Sequence, residues 1–319
     1  MPGIAGHRRS PLIAPLLLAG YLVVAPWIFF LAPLAILLLA SRPRTAREWL
    51  WVALALIAGV GLLRTAPADL ADRTIRAAGM FFAGTYVTMA LFGNRSLFVR
   101  CMVATSAAAA FTTGWFLALR LRFSTLRDAV AMHQWDVYRT LMKGLPATPP
   151  PAADEVVGGT PLAELGYQLA RTVEQVSELF PAIIALTAVA GGWIAWTWYH
   201  RLSSKPIGAP PGLFRHFHFS DQMMWWLVAA LAGTMLPLPQ GLHLAAKNFL
   251  VVVLGLYAAR GLAVLRTVLL NAPPFLVVLL CLIALPLLPL AVTGCIVVGV
   301  ADTWLDLRRR APPPDGVSP

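Results

Sequence analysis

Residues 247–265 read KNFLVVVLGLYAARGLAVL, and residues 297–310 read VVGVADTWLDLRRR. Both are apolar runs in which a few charges stand out. Lys247 and Arg260 bracket a stretch that otherwise belongs in lipid. Asp302 and Asp306 close the last apolar run ahead of Arg308, Arg309 and Arg310. A charge at the centre of a bilayer costs on the order of 3 kcal/mol even on insertion scales, so such groups face a cavity or a partner. The working interior of the chain is expected here.

Composition extends this reading to the whole chain. Of 319 residues, 59% are hydrophobic and 12% charged, with a mean hydropathy of +0.73. A soluble domain is about a quarter charged. Most of the surface must therefore face lipid. The net charge of +11 comes from 25 Lys and Arg against 14 Asp and Glu. These basic residues are dispersed over short loops, as topology signals and contacts to anionic lipid are. No basic stripe is interleaved with solvent-facing aromatics, so membrane lipids are the expected partner and nucleic acid is not. Cys101, Cys281 and Cys295 lie in or at the ends of apolar runs without ligand spacing, which predicts small buried hydrophobes and no metal site.

A spanning helix needs about 20 mostly apolar residues. The run from Pro11 to Ala40 is interrupted by Pro15, Pro26 and Pro33, and predicts a kinked helix or a pair broken near Pro26. No small-x-small cleavage pattern follows its first part, so it is read as mature membrane structure. Further runs cover Trp49–Leu63, Ala77–Phe92, Cys101–Leu119, Phe180–Trp198, Met223–Leu236 and Leu244–Leu265. Phe275–Ala301 contains Pro286 and Pro289 and predicts one bent helix or two short ones. The total is about eight to ten segments in an all-α polytopic bundle. Residues 1–319 read as a single membrane domain, with 311–319 as a disordered tail. If both Pro-broken runs are hairpins, Arg8, Arg9, Arg42, Arg44, Arg47, Arg95, Arg100, Arg201, Lys205, Arg215 and Arg266 share the cytoplasmic side of a bacterial inner membrane with Arg308 to Arg310, and so do both termini.

Residues 120–180 form the one extensive polar region and carry two amphipathic patterns. The first begins at Thr125 with Asp128 three residues on, and places Leu126, Val130, Val137 and Leu141 on one face. A Pro-rich break from Pro146 to Asp154 follows. Thr160 and Pro161 then start a second pattern, Leu162, Leu165, Leu169, Val173, Val176 and Phe180, which runs straight into the next span. The segment reads either as a connector in the membrane interface or as a cap or docking surface. Trp49, Trp51, Trp115, Trp193, Trp196, Trp198, Trp225, Trp226 and Trp304 sit near span ends and suit interfacial anchoring. Small residues four apart, such as Gly79 and Ala83 or Ala259 and Ala263, allow close helix contact in lipid.

No GxSxG, HExxH or Walker motif is present, so neither an enzyme nor an ATPase is expected from this chain, and no cofactor. His216 and His218 lack an evident third metal ligand besides Asp221 and read as a membrane-surface loop. Lys247 and Arg260 are thirteen residues apart, about 20 Å of helix rise, so both could reach an interface. The alternative is an internal polar site. Asn248 and Tyr257 supply directional hydrogen bonds, the cations suit an anionic group, and Gly255 and Gly261 permit close approach. Asn248, Tyr257, Arg260 and Gly261 are therefore the candidate substrate-binding residues. Asp302, Asp306 and Arg310 lie four apart on one helical face, and with Arg308 predict ion pairs at the cytoplasmic helix end.

ELFPAIIAL at 178–186, FHFSDQMMWWLV at 217–228 and the two opening stretches occur in an order that resembles the YybS-like family, multi-pass bacterial membrane proteins with domain of unknown function 2232. The chain departs from that pattern at Arg260, where Gln is usual, and at Ser220-Asp221, where Pro is common. The resemblance implies a distant likeness to the S components of energy-coupling-factor transporters. It would imply a six-helix unit from about Trp49 onward that binds a small solute, with a separate ATPase partner. Two functions are expected on these grounds: a substrate-binding transport subunit without its own ATPase, or a non-transporting scaffold for cell-envelope machinery.

Overall fold

A backbone in lipid must satisfy its own hydrogen bonds, which favours helices. The computed structural model describes residues 18–22, 25–67, 69–93, 95–142, 161–269, 274–284, 286–305 and 307. Helices and no strands occur among them. They are α1 (Ile28–Ala40), α2 (Ala46–Arg64), α3 (Leu70–Phe92), α4 (Leu97–Ala118), α5 (Phe123–Leu141), α6 (Pro161–Glu178), α7 (Phe180–Leu202), α8 (Met223–Met235), α9 (Gln240–Val268), α10 (Pro274–Ala284) and α11 (Leu288–Leu305). A short 3-10 turn covers Phe214–His216. Among the described residues, α3, α4, α7, α9 and α11 are long and apolar enough to cross a membrane, and α1 and α8 are shorter apolar helices. Five is fewer than the eight to ten segments expected from apolar runs. Proline accounts for part of the difference. Pro26 lies in the non-helical stretch before α1, and the run from 275 to 301 is divided into α10 and α11 around Pro286.

The chain divides into two compact units, Met1–Ser177 with Thr187–Pro211, and Glu178–Leu186 with Gly212–Pro319. The first unit is built on α1, which buries Phe29, Phe30, Leu34, Leu37 and Leu38. A helix apolar all round belongs in an interior. Pro33 removes one amide donor within it, so the Phe29 carbonyl loses its partner one turn back. Gly191 of α7 packs against that carbonyl, and a Cβ there would lie 2.8 Å from the Phe29 oxygen. Tyr86 of α3 donates to the Gly192 carbonyl at 2.9 Å, joining a second helix to α7.

The Thr45–Glu48 pair forms a capping box at the start of α2. Glu48 goes further, because its second oxygen accepts from Ser204 N at 2.6 Å. This ties the α1–α2 turn to the end of α7, where Ser41 and Ser203 hydroxyls also meet at 3.4 Å. The T-x-x-E spelling at 45–48 was open to reading. Asp69 caps α3 and receives His133 Nδ1 of α5 at 3.0 Å.

α5 departs from its expected start. It begins at Phe123 behind Arg122, which makes no side-chain cap, so the Thr125–Asp128 box is not the N-terminus. Its buried face is Leu126, Val130 and Trp135, while Val137 and Leu141 are exposed. The Pro-rich break at 146–154, Thr160 and the tail 311–319 lie outside the described residues.

Candidate functional site

The second unit is organised by contact between α9 and α11. A Cβ on Gly261 would collide with the carbonyl oxygen of Cys295, and one on Gly299 with that of Tyr257. Two helix backbones therefore touch, as small residues allow in lipid where apolar burial does not drive association. Arg260 is next to Gly261 and Asp302 is one turn beyond Gly299, so the close approach brings a short aspartate within reach of the arginine.

Arg260 Nε donates to Asp302 Oδ2 at 2.9 Å, and Nη2 donates to the Asp302 backbone oxygen at 3.3 Å. The two residues are 6% and 4% exposed. Arg260 does not extend to an interface as its spacing from Lys247 permitted; it turns inward to an aspartate on another helix. Asp302 accepts from an arginine on another helix. Asp306, Arg308 and Arg310 fall outside the residues whose side chains are described.

The loop after the 3-10 turn covers this pair. Phe219 is buried and its ring centre lies 5.2 Å from the Arg260 guanidinium carbon. That geometry lets the ring face attract the cation. Tyr257 meets Phe219 edge to face at 5.1 Å, and its hydroxyl donates to Met224 Sδ at 3.7 Å. Two residues further on, Asp221 Oδ1 is 4.0 Å from Arg260 Nη1 while its side chain is 79% exposed. Arg260 thus faces a buried carboxylate on one side and a surface carboxylate on the other. The involvement of Phe219 and Met224 could not be read from spacing, because they approach from a different segment.

Asn248 has a different place. α6 ends at Glu178 and α7 begins at Phe180, with Pro181 next. Proline supplies no amide hydrogen, and the helix breaks at Leu179 instead of running straight through. Asn248 fits into the break. Its Oδ1 accepts from Ala182 N at 2.9 Å, and its Nδ2 donates to the carbonyls of Glu178 at 2.9 Å and Leu244 at 3.0 Å. Ala182 N and Glu178 O are the pair that an unbroken helix would join to each other. The carboxamide substitutes for that bond and fastens α7 to α9. Lys247, one residue earlier, is half-exposed and 3.7 Å from Glu178. Of the four candidate substrate-binding residues, Tyr257, Arg260 and Gly261 therefore cluster, and Asn248 is engaged with backbone about three turns away.

Among the described residues, no group of three or more His, Cys, Asp or Glu could hold a metal ion. Cys101 is buried and Cys295 partly so, both as free thiols.

Long apolar helices with a charged pair enclosed between two of them define an α-helical membrane protein. Residues 151–303 match the model of a family described as "Predicted membrane protein (DUF2232)". No curated protein and no solved structure matches the chain.

Proposed function

We propose that the Gly212–Pro319 portion is the solute-binding part of a membrane transport subunit, and that Arg260 recognises an anionic group on the solute. The observation that supports this is the position of the guanidinium between Asp302 and Asp221. Its contact to Asp302 is short and enclosed. Its contact to Asp221 is long and exposed, and a pair of that kind contributes little energy. An anion approaching along the Asp221 side would exchange a weak partner for a better one. Phe219 and Tyr257 would supply the apolar wall. In this reading the chain works in the bacterial cytoplasmic membrane with both termini cytoplasmic. It hydrolyses no nucleotide itself and depends on a separate ATPase partner. The likeness to S components is what the YybS-like resemblance implies.

Thermal stabilisation of the purified full chain against a panel of small anionic metabolites tests the reading. At least one should raise Tm. Asp221→Asn should tighten that ligand roughly two- to fivefold, the reach of an exposed ion pair. A flat response across the panel, with Asp221→Asn inert, would contradict the proposal and favour the scaffold function.

A further inference from the structure

A second cation is buried in the other unit, in surroundings unlike those of Arg260. Arg100 lies in the first turn of α4 and is 6% exposed. Among the described residues no carboxylate is within ion-pair distance of it. Nη2 donates to the Arg95 carbonyl at 3.2 Å. Nε and Nη1 are buried without a hydrogen bond. The guanidinium carbon lies 4.2 Å from the ring centre of Trp196, and the Tyr86 phenol stands beside the group. Trp196 is itself buried, so it is not the interfacial anchor that its place near a span end suggested. One turn further along α7, the His200 ring packs on the same indole at 4.7 Å, and its Nε2 is also buried without a hydrogen bond. Two nitrogen-bearing side chains from two helices thus meet at one tryptophan with hydrogen-bonding capacity to spare.

Their position gives the ligand class. Arg100 lies in the first turn of one candidate span and His200 in the last turn of another, and the ends of spanning helices are where lipid headgroups meet a bundle. Glu48, the acidic group of this helix end, already accepts from three backbone amides. Arg42, Arg44, Arg95 and Lys205 lie in the non-helical segments next to the ends of α1, α2, α4 and α7. Buried polar groups are nearly always satisfied, and an exception calls for an ion or water. A buried cation without a counter-charge calls for an anion. Basic pockets between spans at a membrane face are the known setting for phosphate headgroups.

We infer that Arg100 and His200 form a site for a phosphate-class anion at this end of the first unit. Arg100 Nε and Nη1 supply two donors and His200 Nε2 a third when it carries the proton. Trp196 holds both side chains in place. Filling the site requires a small side-chain movement off the indole, because the free nitrogens are closed to solvent. The site is separate from Arg260, and either proposal can fail alone.

The full chain in nanodiscs tests it, with anionic phosphatidylglycerol compared with zwitterionic phosphatidylcholine, and inorganic phosphate added to the phosphatidylcholine discs. Tm should rise with phosphatidylglycerol, with phosphate, or with both. A response to lipid alone identifies a headgroup, and a response to phosphate a free anion. Arg100→Gln should weaken the response about tenfold or more in ligand concentration, the worth of one charge-assisted hydrogen bond. His200→Ala should weaken it as well, which keeps the test open if Arg100→Gln does not fold. Arg201→Gln, on the neighbouring position, should leave it nearly unchanged. No response to either anion, or the same response in wild type, Arg100→Gln and His200→Ala, would overturn the inference.

Discussion

Arg260 and Asp302 are costly residues to bury and depend on each other. Removing one partner of a buried pair leaves an uncompensated charge, at about 3–5 kcal/mol. Arg260→Ala and Asp302→Ala should each lower Tm strongly in detergent. The paired change Arg260→Met with Asp302→Leu should recover most of that loss, because apolar replacement of a whole pair is often neutral. Equal losses in single and paired variants would show that the pair is not what holds the site. Glu48 gives a pH prediction. Backbone amides of Thr45 and Ser204 hold its carboxyl down to about 2, against an ordinary value of 4.5. A lowered value means that the ionised form stabilises the fold. That contribution is full above pH 4.5 and drains away as pH falls from there towards 2. Tm of the wild type should fall more steeply over that window than Tm of Glu48→Gln, whose amide does not titrate. Parallel curves would refute the assignment.

Among elements, the α9–α11 contact is the least tolerant of change. Gly261→Ala and Gly299→Ala would each press a methyl group onto a carbonyl oxygen. Overpacking of this kind costs about 1–3 kcal/mol and would also separate Arg260 from Asp302. Gly59→Ala in α2, where nothing lies within 4 Å of the added carbon, should be neutral or stabilising. Urea or thermal unfolding of the three variants distinguishes these outcomes. The sequence showed the helical elements better than their partners. The runs from Ala77, Cys101, Phe180 and Leu244 correspond to long helices because hydropathy is a local property. The Pro181 break was not expected, since its stability depends on an asparagine 67 residues later supplying the lost hydrogen bond. The inward turn of Arg260 was half-visible. The residues and small neighbours were open to reading, but spacing along one helix cannot say which face meets another. Trp196 was misplaced for the same reason: tryptophan suits both an interface and a core.

For the molecule as a whole, the two compact units contain different polar interiors. The first unit holds Arg100 against Trp196 and uses Glu48 to fasten turns. The second encloses Arg260 with Asp302 beneath Phe219. The family match from 151 to 303 includes the α9–α11 contact and its ion pair, while α1 to α5 precede it. The central claim is that the charge of Arg260, and not only its packing, serves binding. The direct measurement compares wild type with Arg260→Gln/Asp302→Asn, which keeps a hydrogen-bonding side chain at both positions and removes both charges. Both proteins should unfold cooperatively, and only the wild type should be stabilised by the anionic ligand found in the panel. Equal stabilisation of both would contradict the account.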